Sequence, residues 1–325
     1  MRLRTCFAVT ALTGLALVVM PARGADPSAG LKKGTPDVKS AGSLAFGPDG
    51  ILFIGDSQGA AIFAIDTGDR TPGASGAELK VEGIDGKIAA MLGASPKEVT
   101  INDLAVNPIS GKAYLSVSRG RGPSASPVIM RVDRAGKIEE VSLANVGYAK
   151  AELPNAPSET AAGAPQPKGG SPRAQSITDL AYVDGRVFVA GLSNEEFSSR
   201  LLSIPYPFTS SAEGASIEIY HGSHGRFETK SPVRTFVAYR ISGDPYLMAA
   251  YTCTPLVKIP VSALKSGSHV KGTTIAELGN HNVPLDMIVY QKDGKNYLLV
   301  ANNSRGVMKV STDGADKAEP ITKPV

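Results

Sequence analysis

Residues 176–192 read Ser176-Ile-Thr-Asp-Leu-Ala-Tyr-Val-Asp-Gly-Arg-Val-Phe-Val-Ala-Gly-Leu192 and decide the fold. Apolar residues lie on both sides of the Asp184-Gly185 pair, and this arrangement is the strongest short-range signal for a β-hairpin. A polar loop and a third apolar run at residues 200–205 follow. The stretch therefore predicts three consecutive antiparallel strands.

The same succession of strands recurs along the chain. Copies begin near residues 43, 102, 176, 235 and 286. Repeats of this length that contain only strands are typical of propeller blades, which bury their faces against one another. We therefore predict an all-β fold, a β-propeller of about five four-stranded blades, although the count leaves room for six.

Four segments outside the repeated hairpins carry their own expectations. Residues 77–82 suggest the outer strand of the first blade, and residues 85–93 suggest two helical turns that Gly93 ends. Residues 145–173 are rich in Pro, Ala, Gly and Ser and predict a long loop. The tail at residues 319–322 would close the ring against the first blade.

The first residues have the pattern of an export signal. Arg2 and Arg4 precede an apolar run at 7–20, and small residues follow it. This predicts a signal peptide at 1–24, a lead-in at 25–39 and a single propeller domain at 40–325. We therefore expect a periplasmic or secreted protein, with no membrane insertion after the signal is cleaved.

The composition fits this class. The chain of 325 residues contains 35 Gly, 23 Pro and no Trp, as suits a turn-rich β protein. Removal of the three arginines of the signal nearly balances the 34 basic and 30 acidic residues. Near neutrality argues against a nucleic-acid partner and against binding to an anionic membrane surface.

One residue position repeats at the start of each innermost strand. In a propeller such equivalent positions form a ring around the central axis. Three of the ring residues, Asp103, Asp179 and Asp286, carry carboxylates that would repel one another, and a divalent cation would relieve that repulsion. In the alternative interpretation each Asp accepts backbone N–H bonds from the neighbouring blade. The five ring residues are Ser43, Asp103, Asp179, Thr235 and Asp286.

The loops between the second and third strands of each blade should open on the same face. Their arginines would clamp a carboxylate or phosphate, and Glu195 or Glu196 would act as a base or a further ligand. The alternative is that these loops are polar because they meet water. The predicted ligand-binding residues are Arg119, Arg121, Asn194, Glu195, Asn302 and Arg305.

Sulfur and imidazole groups are few. Cys6 would leave with the signal, so Cys253 would remain without a disulfide partner. The pair His221-Gly-Ser-His224, with Cys253 or Met287, would suit a soft metal such as copper. A solvated Gly-rich loop explains the pair of histidines as well, and a buried apolar role explains Cys253.

The repeats resemble the NHL-type and gluconolactonase-like propellers, a superfamily that includes many exported proteins. Residues 44–54 are similar to the hairpin of that group, in which Pro-Asp-Gly separates two apolar runs. Residues 101–111 are similar to the segment that supplies metal ligands in gluconolactonase-like enzymes. The resemblance implies that Asn102 is a metal ligand beside Asp103, but Leu104 and Asn107 depart from the pattern.

Three functions follow as expectations. The first is an exported propeller that binds a small anionic ligand or another exported protein on its polar loop face. The second is a metal-dependent hydrolase or lactonase that holds Ca²⁺ or Zn²⁺ through Asn102, Asp103, Asp179 and Asp286. The third is an accessory of an exported redox complex. The sequence contains no phosphate-binding Gly loop, Cys-x-x-Cys pair or Ser-centred elbow, so catalysis stays an open question.

Overall fold

The computed structural model describes residues 28, 30–73, 79–159, 171–208, 213–253 and 255–325, and at Pro123 and Glu213 the backbone alone. The predicted signal peptide, residues 1–24, lies outside this part of the chain. No helix within the described ranges has the length and apolar character needed to cross a membrane.

The described residues form 22 strands and one α-helix. The strands are β1 (Lys32–Gly34), β2 (Leu44–Phe46), β3 (Ile51–Asp56), β4 (Ala61–Asp66), β5 (Val99–Val106), β6 (Ala113–Arg119), β7 (Ser126–Val132), β8 (Ile138–Glu140), β9 (Val146–Glu152), β10 (Asp179–Val183), β11 (Arg186–Leu192), β12 (Ser199–Pro205), β13 (Glu213–His221), β14 (Arg226–Glu228), β15 (Val233–Ile241), β16 (Asp244–Tyr251), β17 (Pro255–Pro260), β18 (His269–Lys271), β19 (Thr273–Glu277), β20 (Pro284–Lys292), β21 (Lys295–Asn302) and β22 (Gly306–Ser311). Helix α1 (Ile84–Met91) precedes β5, and short 3-10 turns lie at Pro48–Gly50, Pro96–Glu98, Gly122–Ser124, Gly222–His224 and Val261–Ala263.

These strands form five sheets, which we call blades I to V. Blade I has the order β1-β9-β4-β3-β2, and blade II the order β5-β6-β7-β8. Blade III runs from β10 to β14, with β18 parallel to β13. Blade IV has the order β15-β16-β17-β19, and blade V the order β20-β21-β22. The sheets stand in a ring, so the prediction of a five-bladed β-propeller is confirmed.

The hairpin that decided the fold forms as the sequence predicts. Asp184 and Gly185 both have positive φ, at 46° and 81°, and Val183 pairs with Arg186 across the turn. This backbone matches the right-handed twist of the flanking strands, and glycine at the second position adopts it without steric cost. Blades IV and V repeat the device at Ser242-Gly243 and Asp293-Gly294. The turns set the register of the first two strands in these three blades.

Buried apolar clusters join the blades pairwise. They lie between blades I and II, I and III, III and IV, and IV and V. The fifth cluster joins blade II to α1, through Ile88 and Leu92. The ring order is therefore II, I, III, IV, V, and among the described residues the side between V and II has no such cluster. Ile288 and Val307 of blade V are accordingly 53% and 70% exposed.

Two predictions about outer elements are wrong. The fourth strand of blade I was predicted at 77–82; the described residues of that stretch, 79–82, form no strand, and β9 pairs with β4 instead. Strand β9 lies within 145–173, which we predicted to be a loop. Its alternation is weak because Ala149 and Ala151 fill one face where a large apolar residue is usual. Blade II is thus inserted between the third and fourth strands of blade I.

The C-terminal tail also differs from the prediction. Ile321 donates its backbone N–H to Thr274 O at 2.9 Å, and Val325 donates to Gly222 O at 3.3 Å. The tail therefore packs on blades IV and III and not on blade I. The predicted helix is confirmed as α1, and Gly93 follows it with a φ of 61°.

A buried carboxylate connects blade I to blade II. Asp69, which follows β4, accepts hydrogen bonds from Ser110 Oγ at 2.6 Å, Lys112 Nζ at 2.9 Å and Tyr114 Oη at 3.0 Å. Asn107 Nδ2 adds a bond at 3.2 Å. Burial opposes its ionisation, but the bonds from Lys112, Ser110 and Tyr114 lower the pKa of Asp69 below the usual range. It therefore acts as a charged bridge at this interface.

We predict that Asp69→Ala lowers the free energy of unfolding by about 2–4 kcal/mol, because the buried donors lose their acceptor. Urea unfolding of the variant and the parent measures the difference. Asp37→Ala is the matched control, since Asp37 is exposed and pairs with Lys39 at the surface. The control should change stability by less than about 0.5 kcal/mol. An equal effect in both variants would contradict the assigned role of Asp69.

Candidate functional site

The ring position predicted from the repeats lies in the inner strand of blades II to V and directly before it in blade I. In β5, β15 and β20 a register shift comes directly before it, between Ile101 and Asp103, Val233 and Thr235, and Pro284 and Asp286. Such bulges re-aim a side chain and bend the strand. The bulge thus recurs at the ring position of three blades, whereas Asp179 contacts the neighbouring blade from a strand whose register is continuous.

Asp103 and Asp179 link neighbouring blades by hydrogen bonds. Asp103 Oδ2 accepts the backbone N–H of Leu44 in blade I at 2.6 Å, and Oδ1 accepts the N–H of Leu104 at 2.7 Å. Asp179 makes the same pair of bonds, to Phe236 N of blade IV and to Leu180 N, both at 2.7 Å. The alternative in which the carboxylates connect the blades is therefore observed at these two positions.

Asp286 repeats half of this arrangement. Its Oδ1 accepts the N–H of Met287 at 2.7 Å. Among the described residues, no apolar cluster joins blade V to blade II, and Asp286 Oδ2 accepts no hydrogen bond. Asp286 thus keeps one carboxylate oxygen free for another partner.

The three carboxyls share an unusual electrostatic environment. Burial, followed by the charge of Asp286, raises the pKa of Asp103 from 3.8 to about 7. Burial, followed by the charge of Asp103, raises the pKa of Asp179 from 3.8 to about 8. Burial also raises the pKa of Asp286. The ring therefore favours either protons or a cation near neutral pH.

The four residues predicted to bind a metal lie in different surroundings. Asn102 is exposed, and its Nδ2 donates to Ala41 O and Ser118 Oγ at 2.8 and 2.9 Å. In the described ranges, the one group of three or more His, Cys, Asp or Glu with ligand atoms within 4.8 Å of one another is His221, His224 and Cys253. The three ring carboxylates do not meet that distance together. A cation held by Asn102, Asp103, Asp179 and Asp286 stays a prediction.

Arg121, one of the predicted ligand-binding residues, lines an open cavity of about 460 Å³. Its Nε and Nη2 donate to Lys97 O at 3.0 and 2.7 Å, so the guanidinium is fixed in orientation. Arg119 lies close by at the end of β6, since its charge and that of Arg121 both act on Glu98. We call this space the I–II cavity because blades I and II both line it. Its lining residues are Ser40, Gln58, Lys97, Thr100, Asn102, Ser118, Gly120, Arg121, Gly122, Ala125 and Pro127.

The other predicted ligand-binding residues lie elsewhere. Glu195 pairs with Arg200 at 3.2 Å and accepts from Asn155 Nδ2 at 2.9 Å, beside exposed Asn194. Asn302 is buried, and its Nδ2 donates to Val300 O and Gly306 O at 2.8 and 3.2 Å. The structure thus divides the predicted rim into separate groups.

Arg305 belongs to a third group. Its Nη2 donates to Asn280 O at 3.3 Å, and its guanidinium covers Gly279, whose φ is +102°. Of the three arginines, Arg121 lines the I–II cavity, and Arg119 and Arg305 are not among its lining residues.

Lys97, Thr100 and Ser118 are site residues that the sequence did not indicate. Lys97 lies in the Pro96–Glu98 turn before β5, and Thr100 and Ser118 face each other on β5 and β6. Alternation along β5 was visible in the sequence, but it does not tell which polar residues share a cavity. Gln58 and Ser40 come from blade I, which only the packing of the two blades reveals.

The fold and these sites define the class of the protein: a five-bladed β-propeller with polar and charged sites between its blades. No family model and no curated protein sequence matches the chain. It is similar to the solved structure of a streptogramin B lyase, with 10% identity, 86% of each chain covered and a TM-score of 0.30.

Two further solved structures are similar to the chain. One is a protein from Thermus thermophilus described as a glucose dehydrogenase, with 12% identity, 86% of this chain and 82% of that chain covered, and a TM-score of 0.31. The other is described as a gluconolactonase, with 10% identity, 87% and 95% coverage and a TM-score of 0.27. The fold assignment itself rests on the five sheets and their arrangement.

We predict that Asp286→Asn flattens the dependence of stability on pH. The ring carboxyls bind protons more tightly in the folded chain than in the unfolded chain, so their contribution to stability falls as pH rises from 3.8 to about 8. Loss of the charge of Asp286 removes part of the repulsion on Asp103. The melting temperature of the variant should therefore fall less between pH 5 and 8 than that of the parent.

Asp244→Asn is the matched control, because Asp244 is exposed at the start of β16. In this control the melting temperature should fall between pH 5 and 8 by as much as it does in the parent. If Asp286→Asn and the parent lose the same stability over this range, the coupling between Asp286 and Asp103 is not real.

Proposed function

We propose that this propeller binds a small anionic ligand, a carboxylate or a phosphate, in the I–II cavity. The observation that carries the proposal is the composition of the cavity wall. Lys97 and Arg121 line it, no Asp or Glu among the described residues does, and its volume of about 460 Å³ falls in the range of small-molecule sites. A cavity with this excess of positive charge favours anions.

The fixed orientation of Arg121 supports the same conclusion. Two of its nitrogens are held by Lys97 O, so a ligand would not have to order that side chain on binding. The hydroxyls of Ser40, Thr100 and Ser118 line the same wall and offer neutral donors. Charge-assisted bonds to arginine with such secondary donors are typical of carboxylate and phosphate recognition.

We also propose that the chain is exported and acts in the periplasm or outside the cell. The support is the sequence pattern of residues 1–24, with basic residues before an apolar run of signal-peptide length. In that compartment the ligand would be a free small anion or an acidic group on another exported protein. The cavity chemistry is the same in both cases.

A metal-dependent hydrolase is the second candidate, and the free oxygen of Asp286 beside Asp103 favours it. Added Ca²⁺ would bind to the charged ring and raise the melting temperature, since a ligand of the folded state stabilises it. The same addition would have no effect on Asp286→Asn. Unchanged melting of the parent in Ca²⁺ would contradict this candidate without affecting the proposal for the I–II cavity.

We predict that Arg121→Ala weakens the binding of citrate and inorganic phosphate, the probes, by about 10-fold to 100-fold, because a charge-assisted hydrogen bond contributes about 1.5–3 kcal/mol. Isothermal titration at low ionic strength measures the affinities, and added salt should reduce them. Lys97→Ala should act in the same direction.

Arg305→Ala is the matched control, because Arg305 is an exposed arginine that does not line the cavity. It should bind both probes as the parent does. Equal losses in Arg121→Ala and Arg305→Ala would show general charge attraction and not a site. If the parent binds neither probe nor a sugar acid such as gluconate, the proposal is wrong.

A further inference from the structure

The structure brings together three residues from two parts of the chain at the seam between blades III and IV. His221 ends β13, and His224 lies in the Gly222–His224 turn that follows. Cys253 lies between β16 and β17 of blade IV. One ligand atom from each residue lies within 4.8 Å of the others. Imidazole and thiolate are the donors that thiophilic metal ions prefer.

Glu228 on β14 orients both histidines. His221 Nδ1 lies 2.9 Å from Glu228 Oε2, and His224 Nδ1 lies 2.7 Å from Glu228 Oε1. A carboxylate on Nδ1 fixes the tautomer that leaves the lone pair on Nε2. The two rings lie 3.8 Å apart, centre to centre. This arrangement of carboxylate, imidazole and open nitrogen is typical of metal-binding histidines.

The nitrogen left open on His221 supplies an independent observation. His221 is only 2% exposed, and its Nε2 is buried with no hydrogen-bond partner in the described part of the chain. Buried polar atoms of folded proteins are nearly always paired, so an orphan of this kind requires an explanation. A cation bound between the three side chains would supply the missing partner.

Two carboxylates and an unusual backbone conformation at the seam of blades III and IV also favour a bound cation. Glu277 at the end of β19 accepts the N–H of Gly222 at 2.8 Å through Oε1, and its Oε2 is buried without a partner among the described residues. Two carboxylates, Glu228 and Glu277, therefore flank the histidines. Cys253 has a φ of +74°, a conformation that non-glycine residues adopt rarely and that often marks a functional position.

We propose that His221 and His224, through Nε2, and the thiolate of Cys253 bind one thiophilic d¹⁰ cation, Zn²⁺ or Cu⁺. These donors disfavour Ca²⁺ and Mg²⁺, which prefer oxygen ligands. His224 is partly exposed, so a fourth position stays open to water or an external ligand. The site is separate from the I–II cavity, and the cation would join blade III to blade IV.

The test uses the full mature chain, kept reduced, and titrates it with Co²⁺ as a spectroscopic substitute for Zn²⁺. We expect one equivalent to bind with a thiolate-to-cobalt charge-transfer band, and Zn²⁺ to abolish the band by displacement. A parallel titration with Cu⁺ against a chromogenic chelator gives the affinity for that ion. Metal analysis of protein purified without chelator then shows which ion it carries. The ion that is both found there and bound more tightly is the one that the site holds.

Variants assign the ligands. Cys253→Ser should lose the charge-transfer band, and His224→Ala should weaken binding by at least about 10-fold. Glu228→Gln should weaken it about 10-fold to 100-fold by releasing the imidazoles, without removing a ligand. His281→Asn is the matched control, because His281 is exposed, has a φ of 58° that Asn tolerates, and lies outside the cluster. It should bind the metal like the parent.

Circular dichroism of the metal-free variants shows which of them fold. His224 and Cys253 are not fully buried, so at least one of these two variants should report on binding and not on folding. The proposal is overturned if the parent binds neither ion at one equivalent. It is also overturned if Cys253→Ser or His224→Ala binds with the affinity of the parent.

Discussion

The hydrogen bond between a carboxylate of one blade and the inner strand of the next is the interaction on which this ring depends. An inner strand presents backbone N–H groups to a neighbour that cannot pair with it as a strand, and unpaired buried donors are costly. Asp103 and Asp179 solve the problem in the same way, by one bond to their own strand and one to the adjacent blade. The cost is the burial of these carboxyls, with other carboxyls close by, and both effects raise the pKa values of Asp103 and Asp179.

The same constraint shows where the ring is weakest. Ser43 of blade I and Thr235 of blade IV replace the carboxylate by a hydroxyl, and both lie where two apolar clusters already hold the blade. Between blades V and II neither a cluster nor a carboxylate bond is present among the described residues. Helix α1 covers blade II there in place of a blade, and blade V keeps an exposed apolar face. The position of Asp286 at this open side explains its free oxygen.

The sequence patterns predicted those features that residues close together in the chain determine. The Asp184-Gly185 turn and its flanking apolar runs specify strands and register within a few residues, so the hairpins and the ring position could be predicted. Strand β9 could not, because it pairs with residues of β4 that lie 83 to 91 positions earlier and because its alanines carry little strand preference. The roles of Asp69 and Lys97 also escaped prediction, since each depends on which blades are neighbours. The insertion of blade II into blade I makes that order differ from the order of the sequence.

Both candidate sites of this protein lie at seams between blades. Within a blade, backbone pairing and apolar faces use most of the groups, whereas a seam brings polar side chains from two sheets into one space. The I–II cavity takes Gln58 from one blade and Arg121 from the other. The seam of blades III and IV does the same with His221 and Cys253. The two seams differ in how far the sequence could predict them. The spacing of His221 and His224 already suggested a pair, with Cys253 or Met287 as its partner, and the packing of blades III and IV selects Cys253. Nothing along the chain connects Gln58 with Arg121, because only the packing of blades I and II brings them to one cavity.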